Sequence, residues 1–256
     1  MYATILSMKT FRSFDDVEIA YWDQGEGEPI LLLHGFTANS HINWELSGIA
    51  DELLKSGRRV IMMDARGHGE SDKPHTSYSY WNRAMAKDVG GLAEQLILYD
   101  YDVLGYSMGA KVAIEAALMF GRMRSLALSG LDVYDKDWSL SDKERKKRVE
   151  NMLDDNPEGK DEYWKYATKT GGDRKAFAAR LEGNIYPEFS PWDLKKLHLP
   201  VLIINGTREY DAQEAASFFP NAQGVSLRGS HVTLLRNISF SNEVLTFLNS
   251  LDSGSK

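Results

Sequence analysis

Short apolar runs recur along the chain and alternate with longer stretches of helical periodicity. Continuous apolar runs of this length are typical of strands that are buried on both faces of a parallel sheet. Alternation of such runs with helical stretches predicts an α/β fold, with a mostly parallel central sheet and helices on both faces. The predicted strands lie at 30–33, 59–63, 101–104, 125–129, 199–205 and 224–227.

The apolar spacing between these strands predicts the helices, and the first residues predict a hairpin. Residues 8–23 alternate in polarity around a turn at Asp15-Asp16, which is the pattern of two antiparallel strands. A helix is expected over 44–56, with Leu46 among its buried residues and Gly57 at its end. Further helices are expected over 80–99, 111–120 and 238–251.

The pattern changes between Leu131 and His198, where charged helical stretches replace the strand–helix alternation. Two of these stretches, 142–154 and 161–170, are separated by polar residues and accompanied by scattered aromatic side chains. We therefore predict a core domain built from 1–131 and 198–256, with a helical subdomain inserted at 132–197.

Composition narrows the classes of function. The 256 residues carry a net charge of −7, which gives no support for a nucleic-acid-binding protein. Cysteine is absent, so disulfides and thiolate chemistry are excluded. No apolar run reaches the roughly 18 residues that a membrane span needs, and the N-terminus lacks the apolar stretch of a signal peptide. We therefore expect a cytoplasmic protein. The last four residues, Ser-Gly-Ser-Lys, are expected to form a frayed tail.

The most informative segment is Gly105-Tyr106-Ser107-Met108-Gly109, which lies between a predicted strand and a predicted helix. A G-x-S-x-G pentapeptide in that context is a nucleophile elbow, in which a sharp turn holds the serine hydroxyl clear of the sheet. The glycines allow the backbone to fold tightly, and the N–H of Met108 points to where an oxyanion would form. Ser107 is therefore the predicted nucleophile.

Several motifs in order resemble the α/β-hydrolase family over nearly the whole chain. They are His34-Gly35-Phe36 after one strand, Asp64 to Ser71 with its Arg66-Gly67-His68-Gly69 core, the Ser107 pentapeptide, the strand to Gly206 with acids after it, and Gly229-Ser230-His231 before the last helix. The resemblance implies that 132–197 is a helical cap, which closes over the serine and shapes substrate choice.

In this family the catalytic residues follow the order serine, acid, histidine. The resemblance implies that His231, in the loop after the last strand, is the general base. The family acid is usually an aspartate three residues after the glycine that ends the preceding strand, but Glu209 occupies that position here. Glu209 is favoured as the acid, Asp211 is the alternative, and Asp132 is a remote third choice.

The resemblance also assigns the oxyanion hole and the remaining motifs. The residue after His-Gly supplies one N–H donor in this family, so Phe36 joins Met108. His34 and His68 are expected to make structural hydrogen bonds, and the Arg66-Gly67-His68-Gly69 segment is expected to be a structural turn, since it lacks phosphate-loop spacing. No cluster has metal-ligand spacing, and the basic run 143–148 is expected to be a solvated helix face.

These observations predict a serine hydrolase that cleaves a small carboxylic ester through an acyl-enzyme intermediate, without a cofactor or metal. The partner is a small-molecule substrate. Serine at 107 argues against dehalogenase and epoxide hydrolase chemistry, which need a carboxylate at the elbow. A C–C bond hydrolase, a lactonase, a thioesterase and a hydroxynitrile lyase remain alternatives on the same triad. A small-molecule receptor with little turnover is the alternative from another class.

Overall fold

A computed structural model describes residues 7–132, 141–156, 158, 161–183 and 189–253. Parts of the predicted insertion and all but the first residue of the predicted tail lie outside these ranges. The described residues form one eight-stranded sheet in the order β1-β2-β4-β3-β5-β6-β7-β8. The strands are β1 Lys9–Arg12, β2 Glu18–Gln24, β3 Pro29–Leu33, β4 Arg59–Met63, β5 Tyr101–Tyr106, β6 Met123–Ser129, β7 Val201–Gly206 and β8 Ala222–Leu227.

The sheet confirms the predicted fold class. The hairpin of β1 and β2 is antiparallel and pairs with β4 at one edge, whereas all pairs from β4 through β8 are parallel. The described helices follow the predicted alternation, with four of them between β6 and β7. They are α1 Ile49–Lys55, α2 Ala84–Gln95, α3 Met108–Phe120, α4 Asp142–Leu153, α5 Glu162–Lys169, α6 Arg174–Gly183, α7 Pro191–Leu194, α8 Ala212–Ala216 and α9 Ser239–Ser253.

The parallel strands β3 to β7 are buried on both faces because helices cover both sides of the sheet. In β3, Leu31 and Leu33 face the core under α2, α3 and α8, while Ile30 and Leu32 face the core under α1 and α9. This two-sided burial explains why the strands are continuous apolar runs.

The helix predicted over 44–56 is wrong in its extent. A short π-helix, His41–Glu45, precedes α1, and Gly48 between them has φ 79°. Leu46, which was expected to be buried, is 67% exposed. The break occurs because the positive φ of Gly48 cannot continue a right-handed helix.

The strand register brings the predicted site residues to one edge of the sheet. Leu33 of β3 pairs with Gly105 of β5, and Ser129 of β6 lies opposite Tyr106. Because parallel strands end at the same edge, the loops after β3, β5, β6 and β7 meet there.

The Arg66-Gly67-His68-Gly69 segment is a turn built around a buried ion pair. The Arg66 side chain is fully buried and donates to both carboxylate oxygens of Asp88 and to Asp15. A Cβ at Gly69 would lie 1.7 Å from a carboxylate oxygen of Asp64, so the turn requires glycine. These contacts are those of the structural turn that the sequence predicts. Among the described helices, none is long and apolar enough to cross a membrane.

Candidate active site

Ser107 lies at the sharp turn between β5 and α3, with φ 55° and ψ −110°. A non-glycine residue with positive φ is strained, and such strain is found where the backbone must expose a functional side chain. The motif glycines make the turn possible. A Cβ at Gly109 would lie 2.0 Å from the carbonyl oxygen of Leu33, and one at Gly105 would lie 2.6 Å from that of Gly109.

A continuous hydrogen-bonded chain links the serine to a carboxylate. Ser107 Oγ lies 2.9 Å from His231 Nε2, and His231 Nδ1 lies 2.6 Å from Glu209 Oε1. The three side chains come from three different loops, 22 to 124 positions apart in sequence. The structure thus brings the predicted nucleophile, base and favoured acid into contact.

The chain of contacts sets the imidazole tautomer. An ionised carboxylate only accepts hydrogen bonds, so His231 Nδ1 carries the proton and donates its N–H to Glu209. In a neutral imidazole the other nitrogen, Nε2, is then the acceptor, and the Ser107 hydroxyl donates to it. This is the arrangement that a general base needs before it removes a proton from a serine.

Glu209 and Asp211 have different surroundings, which separates the two candidate acids. The other carboxylate oxygen of Glu209 accepts the backbone N–H of Gly206 at 2.6 Å. A Cβ at Gly206 would lie 2.8 Å from that oxygen, so the glycine makes room for the longer acid. Asp211 instead caps α8 and accepts from the N–H of Glu214. Asp132, the third candidate, follows β6 and is the first residue of the predicted insertion.

Two further residues shape the histidine loop, and neither role is evident from the sequence. Tyr106 stacks on the His231 ring, with centroids 5.1 Å apart, and its hydroxyl donates to the backbone carbonyl of His231. Gly130, with φ 62°, leaves space for the imidazole, because a Cβ there would lie 2.8 Å from Cε1 of His231. The signal for Tyr106 is its place inside the pentapeptide, at a position that the motif leaves open.

The loop after β3 borders the serine. A Cβ at Gly35 would lie 3.5 Å from that of Ser107, so the two loops touch. The N–H of Gly35 is held by the Asn43 side chain at 2.9 Å. Met108 is the first residue of α3, and the N–H groups of the first helical turn have no partner within the helix. Phe36 follows Gly35 and Met108 follows Ser107 in the chain, so both residues are next to this contact, and the oxyanion hole that the sequence assigns to them stays a prediction.

His34 and His68 are buried beside this loop and bond to the backbone, as the sequence predicts. His34 Nδ1 donates to the Gly35 carbonyl, and its Nε2 accepts from the N–H of Ala65. His68 Nδ1 donates to the Arg66 carbonyl. Burial lowers the pKa of both imidazoles, with the stronger effect at His68.

Residues of the predicted insertion contact this same loop. The Thr170 hydroxyl donates to the backbone carbonyl of Thr37 at 3.0 Å. Phe36 packs against Phe177 of α6 and Tyr163 of α5, with ring centroids 5.3 and 5.9 Å apart.

The basic helix α4 begins with a capping box from Ser141 and Glu144. Over the described ranges, no group of three or more His, Cys, Asp or Glu side chains is arranged to hold a metal ion.

Comparison with known proteins identifies the family. The model of the alpha/beta hydrolase fold matches residues 28–165, which is more than half of the chain. The chain belongs to the alpha/beta hydrolase family. This confirms the resemblance drawn from the ordered motifs.

Relatives within the alpha/beta hydrolase family differ in how much of their length they share. Non-heme chloroperoxidase CPO-A1 of Kitasatospora aureofaciens is 27% identical over 92% of this chain and 97% of its own length. The AB hydrolase superfamily protein YisY of Bacillus subtilis is 41% identical, but the match covers 36% of this chain and 32% of that protein. Several of the similar relatives are therefore matched over only about a third of their own length.

Solved structures of low sequence identity have the same fold. An esterase from Exiguobacterium antarcticum gives a TM-score of 0.77 at 22% identity, and covers 95% of this chain and all of its own. A bromoperoxidase from Bacillus anthracis gives 0.76 at 23% identity with the same coverage. At these identities the likeness establishes the alpha/beta hydrolase fold.

Proposed function

We propose that the protein is a serine hydrolase that cleaves a small carboxylic ester through an acyl-enzyme intermediate. The observation that carries this proposal is the hydrogen-bonded chain from Ser107 Oγ through His231 to Glu209. Such a chain converts a weakly nucleophilic hydroxyl into an activated one. Serine at the elbow favours acyl transfer over reactions that need a carboxylate nucleophile.

In the first half of the reaction, Ser107 Oγ attacks the ester carbonyl while His231 Nε2 takes the serine proton. The carbonyl oxygen becomes an oxyanion, for which the N–H groups of Phe36 and Met108 are the donors. Each such donor contributes about 3 kcal/mol to stabilisation of the transition state. Glu209 holds Nδ1–H and stabilises the imidazolium that forms. The imidazolium then protonates the departing alcohol, and the acyl group stays on Ser107.

The second half repeats the chemistry with water as the nucleophile. His231 Nε2 removes a proton from water, the hydroxide adds to the acyl carbon, and the same donors hold the oxyanion. Collapse of the intermediate breaks the bond to Ser107 Oγ, which regains its proton from His231. The acid is released and the triad is restored with no cofactor consumed.

We also propose that residues 132–197 form a cap over this site. The contacts of Phe36 with Phe177 and Tyr163 support the proposal, because they place insertion side chains beside the predicted oxyanion hole. A cap in this position would exclude water and select the acyl group.

A cytoplasmic location remains a prediction from the absence of cysteine.

The direct test is labelling with a fluorophosphonate probe together with hydrolysis of short-chain p-nitrophenyl esters. We expect the native protein to be labelled at Ser107 and to turn over acetate and butyrate esters. Ser107→Ala should lose labelling and at least about 10⁴-fold in kcat, because the substitution removes the nucleophile. Native protein that neither labels nor hydrolyses would contradict the proposal and favour the receptor alternative.

A second candidate is haloperoxidase activity, which the name of the Kitasatospora aureofaciens relative suggests. Hydrogen peroxide can open the acyl-enzyme in place of water, which yields a peracid that oxidises halide. Bromination of monochlorodimedone with peroxide, bromide and acetate is the test. Activity that disappears in Ser107→Ala would support this candidate, and activity equal to that of buffer would remove it.

A further inference from the structure

The proposed oxyanion donor, the N–H of Phe36, lies in a turn that runs from Gly35 to Ala38. The N–H of Ala38 donates to the Gly35 carbonyl at 3.3 Å and closes the turn. Thr37, the third residue of the turn, has φ 60°, a conformation that favours glycine or asparagine and is strained for a β-branched side chain. Strain of this kind persists only where surrounding contacts hold it. The turn therefore depends on its neighbours.

One of those neighbours belongs to the predicted insertion. Thr170, at the end of α5, donates its hydroxyl to the Thr37 carbonyl at 3.0 Å. The carbonyl of Ala167 lies 3.1 Å from the same hydroxyl, but it already accepts the N–H of Gly172 at 2.9 Å. Thr37 is buried, so its carbonyl needs a donor from the protein. The Thr170 proton therefore stabilises the fold most where it bonds Thr37.

Two peptide units connect this hydroxyl to the N–H of Phe36. In a trans peptide the N–H points away from the carbonyl, so the unit that accepts at the Thr37 carbonyl donates from the Ala38 N–H. The Gly35 carbonyl receives that bond, and the N–H of its own peptide unit is that of Phe36. Hydrogen bonds in such a chain polarise one another in the same direction. A donor at Thr37 thus orients and strengthens the donor at Phe36.

The Phe36 side chain is held by the same part of the insertion. Its ring packs on Phe177 of α6 at 5.3 Å and on His68 of the core at 5.7 Å, between centroids. Gly172, two residues after Thr170, makes room for Phe177, because a Cβ there would lie 2.5 Å from that ring. The segment between α5 and α6 therefore supports both the backbone and the side chain of the loop after β3.

We propose that Thr170 is a positioning residue for the oxyanion hole. Its hydroxyl holds the turn from Gly35 to Ala38 in the conformation that aims the Phe36 N–H at the developing oxyanion. The insertion then contributes to the rate of the chemical step as well as to the choice of substrate. This inference rests on the serine hydrolase function proposed above.

The test removes the hydroxyl and keeps the shape of the side chain. Hydrolysis of p-nitrophenyl butyrate is measured per active site, with the fluorophosphonate probe as titrant. In Thr170→Val we expect kcat to fall by about 5- to 10-fold with KM within about twofold, the effect of one hydrogen bond and less than the loss of the donor itself. Thr170→Ser keeps the hydroxyl and should restore most of kcat. Thr168→Val, at an exposed position of α5, is the matched control and should keep native kinetics.

Affinity for an oxyanion mimic distinguishes positioning from a purely structural role. Ser107 adds to butyl trifluoromethyl ketone and forms a tetrahedral oxyanion, so the inhibition constant reports the strength of the donors. In Thr170→Val we expect this constant to rise by the same factor by which kcat falls, and in Thr170→Ser to stay native. An unchanged constant, or a loss of active sites that accounts for the whole loss of rate, would overturn the inference.

Backbone amide chemical shifts separate failure of this inference from failure of the hydrolase. If the probe labels Ser107 but the native protein and Thr170→Val have the same kcat and inhibition constant, the positioning role is refuted while the hydrolase stands. If the probe does not label, the amide shifts of Phe36 and Ala38 decide the matter. Displacement of both in Thr170→Val, but not in Thr168→Val, would support the inference, and unchanged shifts would overturn it.

Discussion

The loop after β8 and the turns after β3 and β4 all place a histidine at the same edge of the sheet. The histidines differ in exposure to solvent and in their hydrogen-bond partners. The side chain of His231 is 46% exposed, whereas His34 and His68 are each 1% exposed. His231 bonds a serine and a glutamate, whereas the buried pair bonds backbone groups. The three rings lie near one site but are held for different purposes.

Access to solvent, and not proximity to the nucleophile, therefore separates a candidate base from a structural histidine. A general base must gain and lose a proton in each cycle, and a charge that forms at the protein surface remains partly hydrated. Burial makes that charge costly for His34 and His68, so they stay neutral. Their neutral form suits a fixed donor or acceptor that shapes the loop containing Phe36.

Replacement of the exposed histidine beside Ser107 should have the largest effect on activity. His231→Gln removes the base, so we expect kcat for ester hydrolysis to fall by about 10⁴-fold or more. His41→Gln, at an exposed position away from the triad, is the control and should keep native activity. Residual activity within tenfold of native in His231→Gln would assign the base to another group.

The next largest effect is expected at the carboxylate that orients His231. Glu209→Gln replaces the acceptor of Nδ1–H, which favours the wrong tautomer, so kcat should fall by about 10²- to 10⁴-fold. Asp211→Ala is the matched variant. It should lose about 1 kcal/mol of stability, because Asp211 caps α8, and leave kcat within about twofold. Steady-state kinetics and urea unfolding measure the two effects, and a reversed pattern would make Asp211 the acid.

The buried pair should dominate the pH dependence of stability below neutrality. Burial lowers the pKa of His34 and His68, so below about pH 6.5 the unfolded chain takes up protons that the folded protein does not. Stability is therefore full above that pH and decreases towards pH 5, with a slope of up to about 1.4 kcal/mol per pH unit for each histidine.

Urea unfolding from pH 8 to pH 5 measures this slope. His68→Asn keeps a donor near the Nδ1 position and removes the titrating group, so the decrease should become shallower. His41→Asn, at an exposed position, should retain the native slope. An unchanged slope in His68→Asn would mean that the buried imidazole is not the source of the effect.

The smallest effect tests how the exposed histidine is held. Tyr106→Phe keeps the ring stacked on His231 but removes the hydroxyl that donates to the His231 carbonyl. Loss of one such bond costs about 1 kcal/mol, so kcat should fall by about fivefold with little change in KM. Tyr106→Ala should lose more, because the stacking disappears as well. Equal kinetics for the native protein and both variants would show that Tyr106 does not position the imidazole.

The sequence alone determined the fold class and the order of the elements. Two-sided burial requires strands such as β3 and β5 to be apolar throughout, so their positions are visible in the chain. Ser107 was visible for a similar local reason, since the turn around it needs Gly105 and Gly109 at fixed spacing. The break at Gly48 was not visible, because one positive φ interrupts a helix without changing the apolar pattern.

Only the tertiary structure decided which side chains meet. Glu209 and Asp211 are two residues apart and chemically alike, and the choice between them depended on which one reaches His231 across 22 positions of sequence. Tyr106 stands at a position that the pentapeptide leaves open, and Gly130 belongs to no motif of fixed spacing. Their importance lies in stacking on the His231 ring and in the space left for it. Those properties depend on distances between segments that are far apart in the chain, and only the folded structure sets such distances.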